Sequence, residues 1–234
     1  MKIAYTQSIF ALGLLAATSF AHASVTDVVF VDVAGSESTN GFNQLVASRI
    51  NAAQLVAGLA SNAPAGDAVL TRTSGTAYPA GSGLYEWGGP YSTFTISDSN
   101  VISNLGSIVF QSHVEPGGNY SLGGAGGIDA IISDVFLSFN GGSQLLAATS
   151  YSLTAAIGAN GPDPVDYAYG YFTWDLSGVT DPITSYTISF GTHAHSSIQA
   201  FQVDQIAAVP EPSAYALMLG GLALVGFAAR RKKA

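Results

Sequence analysis

The strongest restriction on the fold comes from short runs rich in Val, Ile, Thr and aromatic residues, separated by Gly, Pro, Asn and Asp. In 92–97 and 184–190 every second residue is apolar, which is the alternation of a strand with one buried face. β-Branched and aromatic residues suit such half-buried strands. Eight strands are predicted, at 28–33, 92–97, 107–114, 130–139, 144–154, 167–176, 184–190 and 198–206.

Turn-forming sequences separate these predicted strands. The segment 139–143 reads Phe-Asn-Gly-Gly-Ser, a hairpin signal because Asn and Gly tolerate positive φ. Prolines at 162, 164 and 182 interrupt the pattern elsewhere. About eight strands with turns between them predict an all-β fold, an antiparallel β-sandwich of the jelly-roll type.

One segment departs from the strand pattern. Residues 41–60 lack Pro and place Phe42, Leu45, Ile50 and Leu55 near helical spacing. A helix covering one sheet edge and a loop followed by a short strand are both compatible with this segment.

Charge is divided sharply along the chain. Residues 24–209 form one domain-sized unit with two basic and 14 acidic residues, hence 2 − 14 = −12. Such a surface repels nucleic acid and anionic lipid headgroups, so no nucleic-acid partner is expected. Cysteine is absent, which excludes disulfides and thiolate metal sites.

The first 23 residues have the organisation of a signal peptide. Lys2 precedes an apolar run at 9–17, and the small residues Ala21 and Ala23 form an Ala-x-Ala cleavage sequence. Cleavage is predicted between Ala23 and Ser24, which implies passage through the secretion translocon and processing by signal peptidase.

The other end combines a proline-flanked acid, an apolar helix and a basic cluster. Pro210, Glu211 and Pro212 favour an extended segment that a protease cleft can accept. Residues 214–229 carry no charge and are predicted to form a transmembrane helix. At roughly 24 Å that helix is shorter than a bilayer core of about 30 Å. A cluster of cations then holds the end on the cytoplasmic side: Arg230, Arg231, Lys232 and Lys233.

In this order of parts, residues 209–234 resemble the PEP-CTERM sorting domain of Gram-negative bacteria. The resemblance assigns Pro210, Glu211 and Pro212 to the recognition motif. It implies that a membrane-embedded exosortase removes the tail at the inner membrane, and that the protein then reaches the cell surface or the extracellular matrix. Such systems usually accompany exopolysaccharide production and biofilms.

Metal and catalytic sites have weak support in the sequence. His193 and His195 would share a strand face, but Gly191 and Thr192 before them favour a loop. A metal site would also need a third ligand, such as Asp204 or His113, to converge on the pair. Asp163 and Asp166 could offer oxygens to Ca²⁺. No nucleophile-elbow or zinc-protease motif occurs. We therefore expect no metal, no cofactor and no enzymatic activity.

Aromatic side chains are the remaining candidates for function. Tyr167, Tyr169 and Tyr171 alternate on one predicted strand, where they would form a stacking platform for sugar rings if exposed, or part of the core if buried. The other aromatic residues noted are Tyr85, Trp87, Tyr91 and Trp174. Two functions follow: a non-catalytic surface or matrix protein, or a carbohydrate-binding module that retains exopolysaccharide.

Overall fold

The protein is described from a computed structural model covering residues 33–88, 91–115, 132–156, 167–209 and 212–231. Antiparallel strands dominate this part of the chain and form two sheets, consistent with an all-β sandwich. The strands are β1 Ser36–Phe42, β2 Leu59–Ala60, β3 Val69–Ser74, β4 Tyr78–Pro79, β5 Leu84–Tyr85, β6 Thr93–Asp98, β7 Leu105–Glu115, β8 Ile132–Phe139, β9 Leu146–Ala147, β10 Ser150–Ala156, β11 Tyr167–Asp175, β12 Tyr186–Thr192 and β13 Ser197–Ala207; the helices are α1 Ala52–Ala57 and α2 Pro212–Arg231.

The seven-stranded sheet has the order β10-β11-β7-β13-β5-β4, and β1 also pairs with β13. The six-stranded sheet has the order β2-β3-β6-β12-β8-β9. Along the chain the long strands alternate between the sheets: β6, β8 and β12 lie in the six-stranded sheet, whereas β7, then β10 with β11, and finally β13 lie in the seven-stranded sheet. Strands distant in sequence therefore become neighbours, as β7 and β13 do.

The core lies between the sheets and is centred on phenylalanine rings. Phe110 of β7 and Phe190 of β12 come from different sheets, and their ring centroids are 5.2 Å apart. Phe201 of β13 packs 4.7 Å from Phe190. All three rings are almost completely buried, as the alternation of apolar residues in these strands requires.

The segment 41–60 is mostly not helical. Only Ala52–Ala57 forms α1, which begins at Asn51 through a capping box with Gln54 and ends at Gly58, whose φ is 102°. Phe42 instead ends β1, and Leu59 begins β2. Phe42 and Leu45 reach the core from outside any helix, so the segment combines the two alternatives: a short helix, with a loop before it and a short strand after it.

Six of the eight predicted strand regions correspond closely to β6, β7, β8, β11, β12 and β13. The region 144–154 is divided into β9 and β10, and most of 28–33 lies outside the described residues. The strands β1, β3, β4 and β5 have no counterpart among the predicted strands. In β1 the sequence is Ser-Glu-Ser-Thr-Asn-Gly-Phe, which has little β propensity and becomes a strand by pairing with β13.

A helix occupies the C-terminal apolar stretch, since α2 spans Pro212–Arg231. Its described side chains, at 216–225, are exposed. Within the residues that the structure describes, no helix is both long and apolar enough to cross a bilayer. The predicted transmembrane helix at 214–229 is therefore not confirmed, although the helix itself is present.

Candidate functional site

Strand β11 presents two tyrosines on the outer face of the seven-stranded sheet. Ala168, Phe172 and Trp174 point into the core, whereas Tyr169 and Tyr171 are 38% and 36% exposed. The predicted alternation therefore places these two rings on the side away from the core.

Tyr167 begins β11, but its side chain lies outside the described residues. The Trp174 indole is buried and donates a hydrogen bond to the Leu146 carbonyl at 3.0 Å, so this aromatic residue belongs to the core.

Beneath Tyr169 lies a buried histidine. The register of β11 on β7 sets Tyr169 directly opposite His113, and the two rings stack at 4.4 Å with an angle of 4° between their planes. Burial lowers the pKa of His113 to about 4. The imidazole is thus neutral at physiological pH and forms a flat support that fixes one face of the tyrosine ring.

The centre of the same outer face is organised by the buried carboxylate of Asp204. Its oxygens accept hydrogen bonds from Ser36 Oγ at 2.9 Å, Thr39 Oγ1 at 2.8 Å, Gln202 Nε2 at 2.8 Å and Gln111 Nε2 at 3.3 Å. These donors come from β1, β7 and β13, so one charged group connects three strands. A fully hydrogen-bonded carboxylate of this kind holds the outer face in one arrangement.

Tyr171 stands beside this network, opposite Gln111 in the register. Burial, and then the negative charge of Asp204, raise the pKa of Tyr171 above its usual range. Its hydroxyl stays protonated at neutral pH and can both donate and accept a hydrogen bond. The outer face therefore offers half-exposed rings with polar groups at their edges, a surface suited to binding.

The histidine pair lies in the turn between β12 and β13, as the preceding Gly and Thr indicated. His195 has a φ of 61°. Both histidines contact aromatic rings: the ring centroids of His193 and Tyr91 are 5.1 Å apart, and those of His195 and Trp87 are 6.0 Å apart. Among the described residues no three His, Asp or Glu side chains converge as metal ligands. The calcium candidates Asp163 and Asp166 lie outside those residues.

The residues assigned to sorting lie mostly beyond the described chain. The signal peptidase residues Ala21, Ala23 and Ser24 are outside it, as are Pro210, Glu211, Lys232 and Lys233. Pro212 is the first residue of α2, and Arg230 and Arg231 are its last two. The roles assigned to these residues stay predictions.

Sequence reasoning missed most of the polar partners on the outer face. It considered His113 and Asp204 only as metal ligands and did not single out Gln111 or Gln202. Their signal was present as polar residues at every second position of β7 and β13, in Gln-Ser-His and Gln-Val-Asp. Only strand pairing shows that they meet, because β7 and β13 are some 90 residues apart in the chain.

Comparison with known proteins identifies one segment. Residues 208–232 match a family model described as the PEP-CTERM protein-sorting motif. No curated protein and no solved structure matches the chain.

Proposed function

We propose, from the PEP-CTERM sorting motif that this chain carries, that it is an exported, exosortase-sorted protein whose β-sandwich retains extracellular polysaccharide. The motif supports export and membrane-associated sorting by an exosortase. After loss of the tail, the domain resides at the cell surface or in the extracellular matrix of a Gram-negative biofilm.

The observation that carries the polysaccharide half is the outward orientation of Tyr169 and Tyr171. Aromatic residues in strands usually belong to the core, yet these two rings are more than one-third exposed while their neighbours Phe172 and Trp174 are buried. One ring rests on His113, so it is held in place before any ligand binds. Preorganised aromatic rings with hydroxyl groups are favourable contacts for a ligand that has both apolar faces and polar edges, as a pyranose ring does.

The fold agrees with a binding role. The repeated crossing of successive strands between the sheets supports the finer jelly-roll assignment, an architecture shared with lectins. The role proposed is non-catalytic: the outer face retains polymer and changes no bond in it. Turnover of a polysaccharide, abolished by replacing one carboxylate, would contradict that statement.

The sorting half is tested by Glu211→Ala. We expect the variant to be exported and to lose its signal peptide, but to keep its C-terminal tail and accumulate in the membrane fraction at higher mass. Mass spectrometry of both termini measures this outcome. Normal release of the variant would contradict recognition through Pro210, Glu211 and Pro212.

The binding half is tested by co-sedimentation with the exopolysaccharide of the host cell. Tyr169→Ala should lower the retained fraction strongly. Tyr151→Ala is the matched control. Tyr151 is 64% exposed, but it pairs with Phe172 and therefore lies on the opposite face of the sheet from the outer tyrosines. Equal retention of both variants would show that the outer face is not the binding surface.

A further inference from the structure

We propose that the carbohydrate surface extends across the seven-stranded sheet to a second aromatic group around Trp87, and that its ligand is a linear, uncharged polysaccharide lying across the strands. This inference rests on the proposed function and specifies its ligand. It follows from the register of β11, β7, β13 and β5, and from the exposure of the Trp87 and Tyr78 rings. The sorting motif gives no reason for that exposure.

The second group is the Trp87 cluster, defined as Tyr78, Tyr85, Trp87 and His195. Consecutive ring centroids are 6.1, 6.1 and 6.0 Å apart, and the Tyr85 hydroxyl lies 3.3 Å from His195 Nδ1. Trp87 is 69% exposed and Tyr78 is 42% exposed. Adjoining large apolar groups that are exposed in this way are a feature of interaction and ligand-binding surfaces.

Strand register places this cluster on the same face as Tyr169. Tyr85 pairs with Ser197 of β13, and Ser197 pairs with Glu115 of β7. Directly paired residues share a face, and Glu115 is two residues from His113, on which Tyr169 stacks. Leu84, adjacent to Tyr85, points to the core instead. The two aromatic groups are therefore the ends of one outer surface.

The backbone that carries Trp87 is held firmly. The amide of Glu86 donates to the Ser196 carbonyl at 3.0 Å, and the amide of His195 donates back to the Glu86 carbonyl at 2.6 Å. The buried Glu86 carboxylate also accepts from the Ser92 amide at 2.9 Å and from Thr192 Oγ1 at 3.3 Å. A loop anchored through both its backbone and its side chain presents the indole without an ordering cost on binding.

Close approach of the chain strengthens this attachment. Gly83 has a φ of 157°, and a Cβ at this position would lie 2.2 Å from the Ile198 carbonyl oxygen. Only glycine lets β5 lie this close to β13, which brings Tyr85 into register with the outer face.

The distance between the two groups suits a polymer better than a single sugar. From β11 to β5 there are three strand steps, or roughly 14 Å at about 4.8 Å each. Along the strands, Tyr85 is in register with Glu115, which lies two residues from His113. This offset adds about 7 Å parallel to the strands, so the two groups are separated by roughly 16 Å. One monosaccharide cannot contact both, whereas several consecutive units of a linear chain can.

Charge selects the class of polymer. The exposed Glu115 lies between the two groups, and the region 24–209 has a net charge of −12. Uronic-acid or sulfated polymers would be repelled from this surface. Polymers without charge, which present alternating apolar faces and hydroxyl edges, match both the rings and the polar groups between them.

The test measures binding of the full chain to the host's own exopolysaccharide, hydrolysed and fractionated into fragments shorter and longer than the separation of the two groups. Long fragments should bind one per protein and roughly a hundredfold more tightly than short ones, because the second contact becomes intramolecular. Trp87→Ala should abolish this gain with length. Trp87→Phe, which keeps a ring, should retain most of it, and both variants should melt at the wild-type temperature because Trp87 is exposed.

Each other outcome counts against a defined statement. A gain with length that survives Trp87→Ala, while Tyr169→Ala still weakens binding, would overturn the extended surface and leave the proposed function intact. Failure of every fragment to bind would overturn both. Preferential binding of fragments rich in uronic acids would overturn the assignment of an uncharged ligand.

Discussion

The two faces of the seven-stranded sheet are made by the same strands but are held together differently. On the inner face, Phe110 of β7 packs 5.8 Å from Phe172 of β11 and 5.7 Å from Phe201 of β13. On the outer face, three residues away along each strand, His113 of β7 stacks on Tyr169 of β11. The buried side chains of the inner face are apolar. Those of the outer face are mostly polar, and hydrogen bonds to the Asp204 carboxylate hold them in place.

This difference separates stability from recognition. The inner rings gain their free energy by leaving water, so their contribution depends on shape and volume. The outer groups contribute through paired polar atoms, which leaves the rings of Tyr169 and Tyr171 partly free for a ligand. Substitutions on the inner face should therefore affect folding, and those at the edge of the outer face should affect binding.

The largest effect is expected at the centre of the inner face. Phe110→Ala should lower the free energy of unfolding by about 3–5 kcal/mol, because it leaves a cavity between the sheets. Denaturant titration measures this value. The control Tyr151→Ala, at an exposed ring, should change it by less than about 1 kcal/mol. A small loss for Phe110→Ala would show that the inter-sheet core is not packed as described.

Removal of the outer carboxylate should have the next largest effect. Asp204→Ala leaves four side-chain donors on a buried surface without their acceptor, at a cost of about 3 kcal/mol. Asp204→Asn keeps the size but sets an amide against other donors, and should cost less than the alanine variant. If both variants were as stable as wild type, the polar network would not order this face.

A pH dependence should originate from His113. Its folded-state pKa of about 4 lies below the ordinary 6.5, so the unfolded chain binds the proton first as pH falls. The free energy of unfolding should therefore be unaffected by this histidine at pH values well above its ordinary pKa and should fall as the pH is lowered toward 4. The expected decrease between pH 8 and pH 5 is about 2 kcal/mol.

The comparison with His113→Phe isolates this contribution. Burial raises the pKa of Asp98, which opposes the loss, because a carboxyl with a raised pKa favours the folded state as pH falls. That group is present in both proteins and cancels in their difference. Identical pH profiles for the two proteins would rule out His113 as the source.

The smallest effect on stability is expected at Tyr169. Tyr169→Ala should reduce the free energy of unfolding by only about 1 kcal/mol, since the ring is partly exposed. The same change uncovers His113, so the pKa of that imidazole should move up toward 6.5. NMR titration of the histidine resonances measures the shift. An unchanged pKa would mean that the tyrosine ring does not desolvate His113.

Much of the fold could be predicted from local pattern alone. The alternation in β6 and β12 identifies strands and their buried faces, because side chains in extended backbone repeat with a period of two. The strand β1 could not be found in this way, since its polar sequence becomes extended only through pairing with β13. The spacing in 41–60 left a helix and a loop with a short strand both open, and the structure has elements of both, because the caps at Asn51 and Gly58 restrict α1 to six residues before β2 begins.

The sequence by itself determined the sorting motif, the acidic charge and the alternation that separates Tyr169 and Tyr171 from Phe172, since each depends on order along the chain. Tertiary structure alone decided which of those sides faces solvent and what lies beneath it. It also brought Tyr85 and Trp87 to the face of Tyr169 through β13 and β7, whose pairing joins residues far apart in the chain. The physical reason is that strand register is set by contacts between distant segments, which no local pattern records.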